Sequence, residues 1–235
     1  QVDLPLFWVN LQRLLSYQGF VLLPILGVGG FILPRFFGMP SQQDFPESLR
    51  PPPGWTRKAF TALGAGVIIV GSFVLEAAGW HRTGHAIRAG AALTFLLLEM
   101  PLQHAFQRRN ALATSLLVAL AGSILGLVAV ALFPSGRVAL LHLTLAGGFA
   151  ALTFTVATRV MFGHSGNQPL LRAPNRWMYG VLGLMLLGTA TRISGDFWPN
   201  ILPTHYSYGA ILWGAGAAWW AWRVLPNVLV ADDER

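Results

Sequence analysis

The stretch LATSLLVALAGSILGLVAVALF (112–133) contains no charged residue and decides the fold class. A helix of about 20 mostly apolar residues is long enough to cross the hydrocarbon core of a bilayer. The stretch is too long for a β-strand, and its polar and apolar residues do not alternate with a period of two. It therefore predicts a transmembrane helix.

Comparable apolar stretches recur along the chain. We predict seven spans, separated by polar or Pro-rich connections, at about 14–37, 59–79, 86–106, 112–133, 138–162, 176–195 and 203–225. Residues 1–13 are predicted to form an amphipathic or interfacial segment, residues 14–230 a single transmembrane helical domain, and residues 231–235 a polar tail. The predicted fold class is an all-α membrane protein, with seven helices in one bundle.

The composition of the whole chain agrees with this fold class. The 235 residues are 54% hydrophobic and 11% charged, whereas a typical soluble domain is about 25% charged. The mean hydropathy is +0.55. The sequence has no Cys, which excludes disulfides, iron–sulfur clusters and thiolate metal sites. These values exclude an ordinary soluble enzyme, a disordered chain and a secreted disulfide scaffold.

The formal net charge of +7 is explained by membrane topology rather than by nucleic-acid binding. Of the 16 Lys and Arg residues, eleven fall on one side of the seven predicted spans and five on the side of the N-terminus. Cytoplasmic loops carry the excess of Lys and Arg, so we expect a cytoplasmic C-terminus and a periplasmic residue 1. Because the chain starts outside, at Gln1, we expect a processed chain or one part of a longer chain.

Small residues predict close contacts between helices. Gly122 and Gly126 form a GxxxG pair, and a second cluster of Gly and Ala occupies residues 146–150. Small side chains let two helix backbones approach closely in a bilayer. We therefore expect these residues to lie where helices pack.

Ionisable side chains near membrane depth are candidates for function, because hydrocarbon is a costly environment for them. Near the inner face, we expect Arg159 either to extend to the lipid phosphates or to pair with Glu99. Near the outer face, we expect Glu76 to pair with Arg82 or Arg192. For both carboxylates three interpretations stay open: a structural ion pair, a neutral protonated acid, or part of a proton relay.

The six histidines are candidate metal ligands, because imidazole binds haem iron, copper and zinc. His142 and His164 are 22 residues apart, which is about 33 Å along an ideal helix and close to the thickness of the hydrocarbon core. On an ideal helix they lie on nearly the same side, so they could belong to two separate metal sites, one near each membrane face. Alternatively, they bind no metal and form hydrogen bonds with lipid headgroups or the backbone. The available partner of His164 is His104, and the available partners of His142 are His85, His81 and His205.

The segment ALLHLTLAGGFAALTFTVATRVMFGHSGNQPL (139–170) resembles the hallmark of the NnrS family. The matching residues are His142, Gly147, Thr158, Arg159, Gly163, His164, Ser165, Gly166, Pro169 and Leu170. Weaker similarity is found in GVGGFILPRFFG (27–38) and AILWGAGAAWWAWRVLPNVL (210–229). The sequence departs from the family pattern at Phe31, where the family usually has Arg, and in the third span, where the expected His is not evident.

The resemblance implies a multi-pass protein of the bacterial inner membrane that binds haem b and/or copper and is linked to nitric-oxide stress or denitrification. It implies His142 and His164 as ligands, with Arg159 supporting a propionate or a carboxylate. Family members usually have more spans, so this chain would correspond to their C-terminal part. Two alternatives stay open: a metal-free accessory subunit of a larger respiratory or photosynthetic membrane complex, and a small-molecule transporter. The expected partners are lipids and, in the accessory interpretation, other subunits.

Overall fold

The computed structural model of the chain describes residues 4–39, 51, 53–99, 110–164 and 168–229. Within these ranges the regular secondary structure is helical and there is no strand. The prediction of an all-α fold is therefore confirmed.

Seven long helical segments follow one another within the described ranges. The first runs continuously through α1 (Leu4–Leu14), a π-helical turn (Leu15–Gly19) and α2 (Phe20–Phe36), so the predicted interfacial segment continues into the first span. Next come α3 (Trp55–Ala77), α4 (His81–Glu99) and α5 (Ala111–Leu132). The fifth segment joins a 3-10 turn (Pro134–Gly136), α6 (Arg137–His142), a π-helical segment (Leu143–Ala150) and α7 (Ala151–His164). After the short α8 (Gln168–Arg172) come α9 (Trp177–Phe197) and α10 (Leu202–Val224).

Four of these segments are long and apolar enough to cross a membrane: Leu4–Phe36, Trp55–Ala77, Ala111–Leu132 and Pro134–His164. The helices α4, α9 and α10 have 19, 21 and 23 residues but are less apolar, so the count of seven spans stays a prediction. Large apolar side chains cover the outside of the helices, with Phe20 78% and Leu98 67% exposed. Such surfaces indicate a membrane environment and contact with lipid.

The helices form two compact units. Unit 1 lies within residues 1–108 and 127–135, and unit 2 within residues 109–126 and 136–235, so that the boundary falls inside α5. In unit 1, α3 and α4 pack closely at Gly84, where a Cβ atom would lie 2.8 Å from the carbonyl oxygen of Ser72. Arg82 holds the end of α5 in the same unit, because its Nε and Nη2 donate hydrogen bonds to the carbonyls of Ala131 and Leu132 at 3.1 and 3.3 Å.

In unit 2, glycines mark the close helix contacts. A Cβ atom at Gly122 would lie 3.1 Å from the carbonyl oxygen of Gly147, and one at Gly148 would lie 2.6 Å from the backbone nitrogen of Ser123. Gly126 likewise lies against the backbone of Thr144. The packing role predicted for the GxxxG pair and the 146–150 cluster is confirmed.

Candidate functional site

A buried polar cluster occupies the core of unit 1 and centres on Arg88. Arg88 Nη2 donates to Glu76 Oε2 at 2.6 Å, Nη1 to Gln18 Oε1 at 2.6 Å, and Nε to Ser72 Oγ at 3.2 Å. The guanidinium carbon also lies 4.1 Å from the centroid of the Phe73 ring. Gln18 belongs to the π-helical turn of the first segment, and π-helical turns are frequent at functional sites. The cluster therefore ties together three helical segments.

The structural ion pair of Glu76, one of the three interpretations, is confirmed, but with a partner that was not predicted. Its partner is Arg88, on the neighbouring helix α4. Arg82 instead binds the carbonyls at the end of α5, and Arg192 forms an ion pair with Asp196. The signal for Arg88 was present in the sequence, because a charged side chain within a long apolar helix requires a partner of opposite charge.

His85 joins the same cluster and is fully buried. Its Nδ1 lies 3.0 Å from the carbonyl oxygen of His81 and 3.3 Å from Glu76 Oε2. With the proton on Nδ1, the ring donates to the carbonyl and Nε2 carries the lone pair. The side chain of His81, one turn earlier on α4, is exposed.

Glu99, the second candidate carboxylate, lies at the C-terminal end of α4. Its Oε2 is 3.6 Å from Nζ of Lys58, and both side chains are largely buried. The predicted partner Arg159 is a partly buried residue of α7 in unit 2. The pairing of Glu99 with Arg159 stays a prediction.

A second polar cluster lies in unit 2, at the end of α9 and the start of α10. Arg192 Nη1 is 3.0 Å from Asp196 Oδ1, and the guanidinium carbon lies 3.5 Å from the centroid of the Tyr206 ring. The Tyr206 hydroxyl donates a hydrogen bond to Asp196 Oδ1, and His205 Nδ1 lies 2.8 Å from Ser194 Oγ. Asp196 was not among the predicted site residues, although its spacing of four from Arg192 is the spacing of a helical ion pair.

His142 ends α6 and directly precedes the π-helical segment. Its Nδ1 lies 2.8 Å from the carbonyl oxygen of Val138, one turn earlier. An Nδ1–H donated to a carbonyl fixes the ring and leaves Nε2 as the coordinating atom, which is the arrangement of histidines that bind metals. His142 is partly exposed. Its helix α6 begins beside the end of α9, because a Cβ atom at Gly136 would lie 3.4 Å from the ring of Phe197, so His142 belongs to the same end of unit 2.

His164 is exposed and ends α7. The π-helical residues 143–150 lie between it and His142. A π-helical turn holds more residues than an α-helical turn because its hydrogen bonds span i to i+5. The shared side predicted for an ideal helix therefore does not apply to these two histidines. His104 lies outside the described residues.

The described residues offer single histidines rather than a cluster of metal ligands. Among them, no group of three His, Asp or Glu side chains could hold a metal ion. A haem iron, in contrast, requires only one or two axial ligands, and a single histidine is a common one. The held ring of His142 fits that requirement.

Apolar helices of membrane-spanning length, lipid-facing apolar side chains and ionisable groups that are buried in pairs define a polytopic helical membrane protein. The family model described as "NnrS protein" matches residues 5–231. The chain belongs to the NnrS family, and the resemblance found in residues 139–170 is confirmed. Searches of curated proteins and of solved structures give no significant match.

Proposed function

We propose that this chain is an NnrS-like integral membrane protein that binds haem through His142, near the predicted periplasmic face of the bacterial inner membrane. The observation that carries the proposal is the hydrogen bond of 2.8 Å from His142 Nδ1 to the Val138 carbonyl. This hydrogen bond turns Nδ1 toward the helix turn that contains Val138, so Nε2 on the other side of the ring is directed away from that turn. Bound haem iron would supply coordination of a small diatomic ligand, in keeping with a role in nitric-oxide stress or denitrification.

His142 is favoured over the other described histidines by three properties taken together, one of which is its place in the segment 139–170 that carries the resemblance to the family. Its ring is held and its side chain remains partly exposed. His85 is also held, but it is fully buried, and a macrocycle could reach it only if the Arg88 cluster opened. His205 is held by Ser194 and is the second candidate ligand at the same end of unit 2.

Positive charge near His142 suits the propionate groups of haem. Arg192 lies at this end of unit 2, with its guanidinium between Asp196 and the Tyr206 ring. Guanidinium groups bind carboxylates with paired hydrogen bonds. A haem propionate could therefore take the place of Asp196 as the carboxylate partner of Arg192.

Reduced-minus-oxidised absorbance spectra and metal analysis of the purified full chain test the proposal. We expect one haem b per chain and little copper. His142→Ala should lower the haem content several-fold. His81→Ala should leave it unchanged, because the His81 side chain is exposed and the substitution keeps the backbone carbonyl that contacts His85. Added imidazole should restore the haem spectrum of His142→Gly, which separates loss of a ligand from misfolding.

Three results would contradict the proposal. Equal loss of haem from His142→Ala and His81→Ala would exclude His142 as the specific ligand. Stoichiometric copper without haem would assign the histidines to copper. Absence of both metals, with partner subunits copurifying, would favour the metal-free accessory subunit.

A further inference from the structure

Three exposed arginines lie at the end of unit 2 where α9 begins and α10 ends, opposite to the end that carries Asp196. We call this surface the arginine face; it consists of Arg172, Arg176 and Arg223 together with Trp177 and Trp222. Arg172 ends α8, Arg176 directly precedes α9, and Arg223 is in the last turn of α10. This arrangement is independent of the haem site proposed above.

The connection between α8 and α9 is built around Asn175. Its Nδ2 donates to the carbonyls of Leu170 and Ala173 at 2.7 and 3.2 Å, and its Oδ1 accepts from Nε1 of Trp177 at 3.2 Å. Asn175 has φ 44°, a conformation that Asn tolerates better than most residues. These bonds fix the backbone on both sides of Arg176 and orient the Trp177 ring.

Aromatic side chains place the arginine face at a membrane boundary. The guanidinium carbon of Arg223 lies 5.7 Å from the ring centroid of Trp177 and 5.9 Å from that of Trp222. Trp222 is 71% exposed. Exposed Trp residues at helix ends are typical of the layer of lipid headgroups, so we infer that the three arginines lie at the depth of the lipid phosphates.

Carboxylates that could neutralise these arginines are far away within the described part of unit 2. The only Asp or Glu in residues 110–126, 136–164 and 168–229 is Asp196, which is paired with Arg192. It lies 19 residues from Trp177 along α9, or about 28 Å. Among the described residues, the arginine face therefore presents net positive charge, and the N-terminus of α9 adds the positive end of its helix dipole.

We propose that the arginine face binds the phosphate headgroup of an anionic phospholipid. Guanidinium groups make paired, charge-assisted hydrogen bonds with phosphate oxygens. Basic residues beside the ends of transmembrane helices attract anionic lipids. Trp177 and Trp222 would contact the glycerol and upper acyl region while Arg176 and Arg223 bind the phosphate.

Native mass spectrometry of the full chain in detergent tests the proposal, with an equal mixture of phosphatidylglycerol and phosphatidylcholine of identical acyl chains. We expect the wild-type chain to retain phosphatidylglycerol preferentially. Arg176→Gln/Arg223→Gln should weaken that retention about thirtyfold, since each of the two basic residues near a membrane surface contributes about 1 kcal/mol. The matched control is Arg35→Gln/Arg57→Gln, which removes the same charge from exposed positions of the same predicted membrane side.

Two further measurements distinguish binding by the guanidinium groups from a general effect of positive charge and from loss of the fold. Arg176→Lys/Arg223→Lys keeps the charge but not the planar fork, so it should retain more phosphatidylglycerol than the Gln pair and less than wild type. Far-UV circular dichroism and gel filtration identify any variant that misfolds. If the Gln pair misfolds, lipid retention is compared between wild type and the Lys pair. Equal losses of phosphatidylglycerol in the two Gln pairs would overturn the proposal and show that any surface arginines attract the lipid. Loss of the lipid preference on addition of inorganic phosphate would also overturn it and would indicate a site for the free anion.

Discussion

Arg88 and Glu76 form an ion pair inside unit 1, with 2.6 Å between Nη2 and Oε2 and with side chains 0% and 1% exposed. The remaining donors of Arg88 reach Gln18 and Ser72, so the charge is matched and the guanidinium is held by two other helical segments. A matched buried pair is tolerated, whereas one charge left alone there is costly. Arg88 and Glu76 are therefore interdependent.

Glu76→Gln should destabilise the protein strongly, because it leaves the buried Arg88 charge without a carboxylate. Removal of one partner of a buried ion pair costs about 3–5 kcal/mol. The double variant Arg88→Met/Glu76→Gln removes both charges and should recover part of that loss. Thermal unfolding in detergent, followed by circular dichroism, measures both. If the double variant is no more stable than Glu76→Gln, the two charges are not coupled.

Asp196→Asn should have a much smaller effect on stability than Glu76→Gln. The side chains of Arg192 and Asp196 are 19% and 20% exposed and lie four residues apart on one helix. Partly hydrated pairs of this kind contribute at most about 1 kcal/mol. The same unfolding assay checks the ranking. A loss as large as that of Glu76→Gln would show that the Arg192 cluster supports the fold of unit 2.

The helical fold was predictable because its cause lies in local composition. The stretch 112–133 is apolar throughout, and the structure has a helix over Ala111–Leu132. Helix ends at polar connections were also predictable, as for α9, which ends at Phe197, close to the predicted end of the sixth span. The π-helical segments Leu15–Gly19 and Leu143–Ala150 could not be predicted, because their sequences show the same apolar pattern as an α-helix.

The partners of the ionisable residues could not be predicted as well as the helices. Glu76 was recognised as a candidate, but its choice of Arg88 over Arg82 depends on how α3 and α4 are rotated against each other. Gly84 sets that contact, because a Cβ atom there would lie 2.9 Å from Glu76 Cβ. Similarly, only the conformation of Val138 and His142 shows which ring nitrogen of His142 is held. Such choices depend on three-dimensional packing, which residue spacing alone does not determine.

Thr158→Val should destabilise unit 2 by leaving a buried indole without an acceptor. Trp220 Nε1 donates to Thr158 Oγ1 at 2.8 Å, and that hydroxyl donates to the carbonyl of Phe154 at 2.7 Å. A buried donor without its partner costs about 1–3 kcal/mol. Thr158→Ser keeps the hydroxyl and serves as the control. The thermal midpoint should fall more for Val than for Ser, and the opposite order would mean that the Thr methyl group matters more than the hydrogen bond.

Gly188→Ala should disrupt the contact between α9 and α10. A Cβ atom at Gly188 would lie 2.7 Å from the carbonyl oxygen of Gly209 and 2.8 Å from the backbone nitrogen of Trp213, and neither backbone atom can move alone. Overpacking of this kind costs about 1–3 kcal/mol. Gly183, on the same helix, has no atom within 4 Å of its Cβ position, so Gly183→Ala should be neutral or slightly stabilising, because Ala has the higher helix propensity.

The thermal midpoints of the two variants, measured in the same detergent, decide this prediction. Both substitutions add one methyl group to the interior of α9 and change helix propensity equally, so any difference between them reports the contact with α10. Gly209→Ala tests the contact from the other side, because a Cβ atom there would lie 2.9 Å from the carbonyl oxygen of Gly188. It should lower the midpoint as Gly188→Ala does. Equal midpoints for Gly188→Ala and Gly183→Ala would mean that α9 and α10 are packed less closely than the backbone distances require.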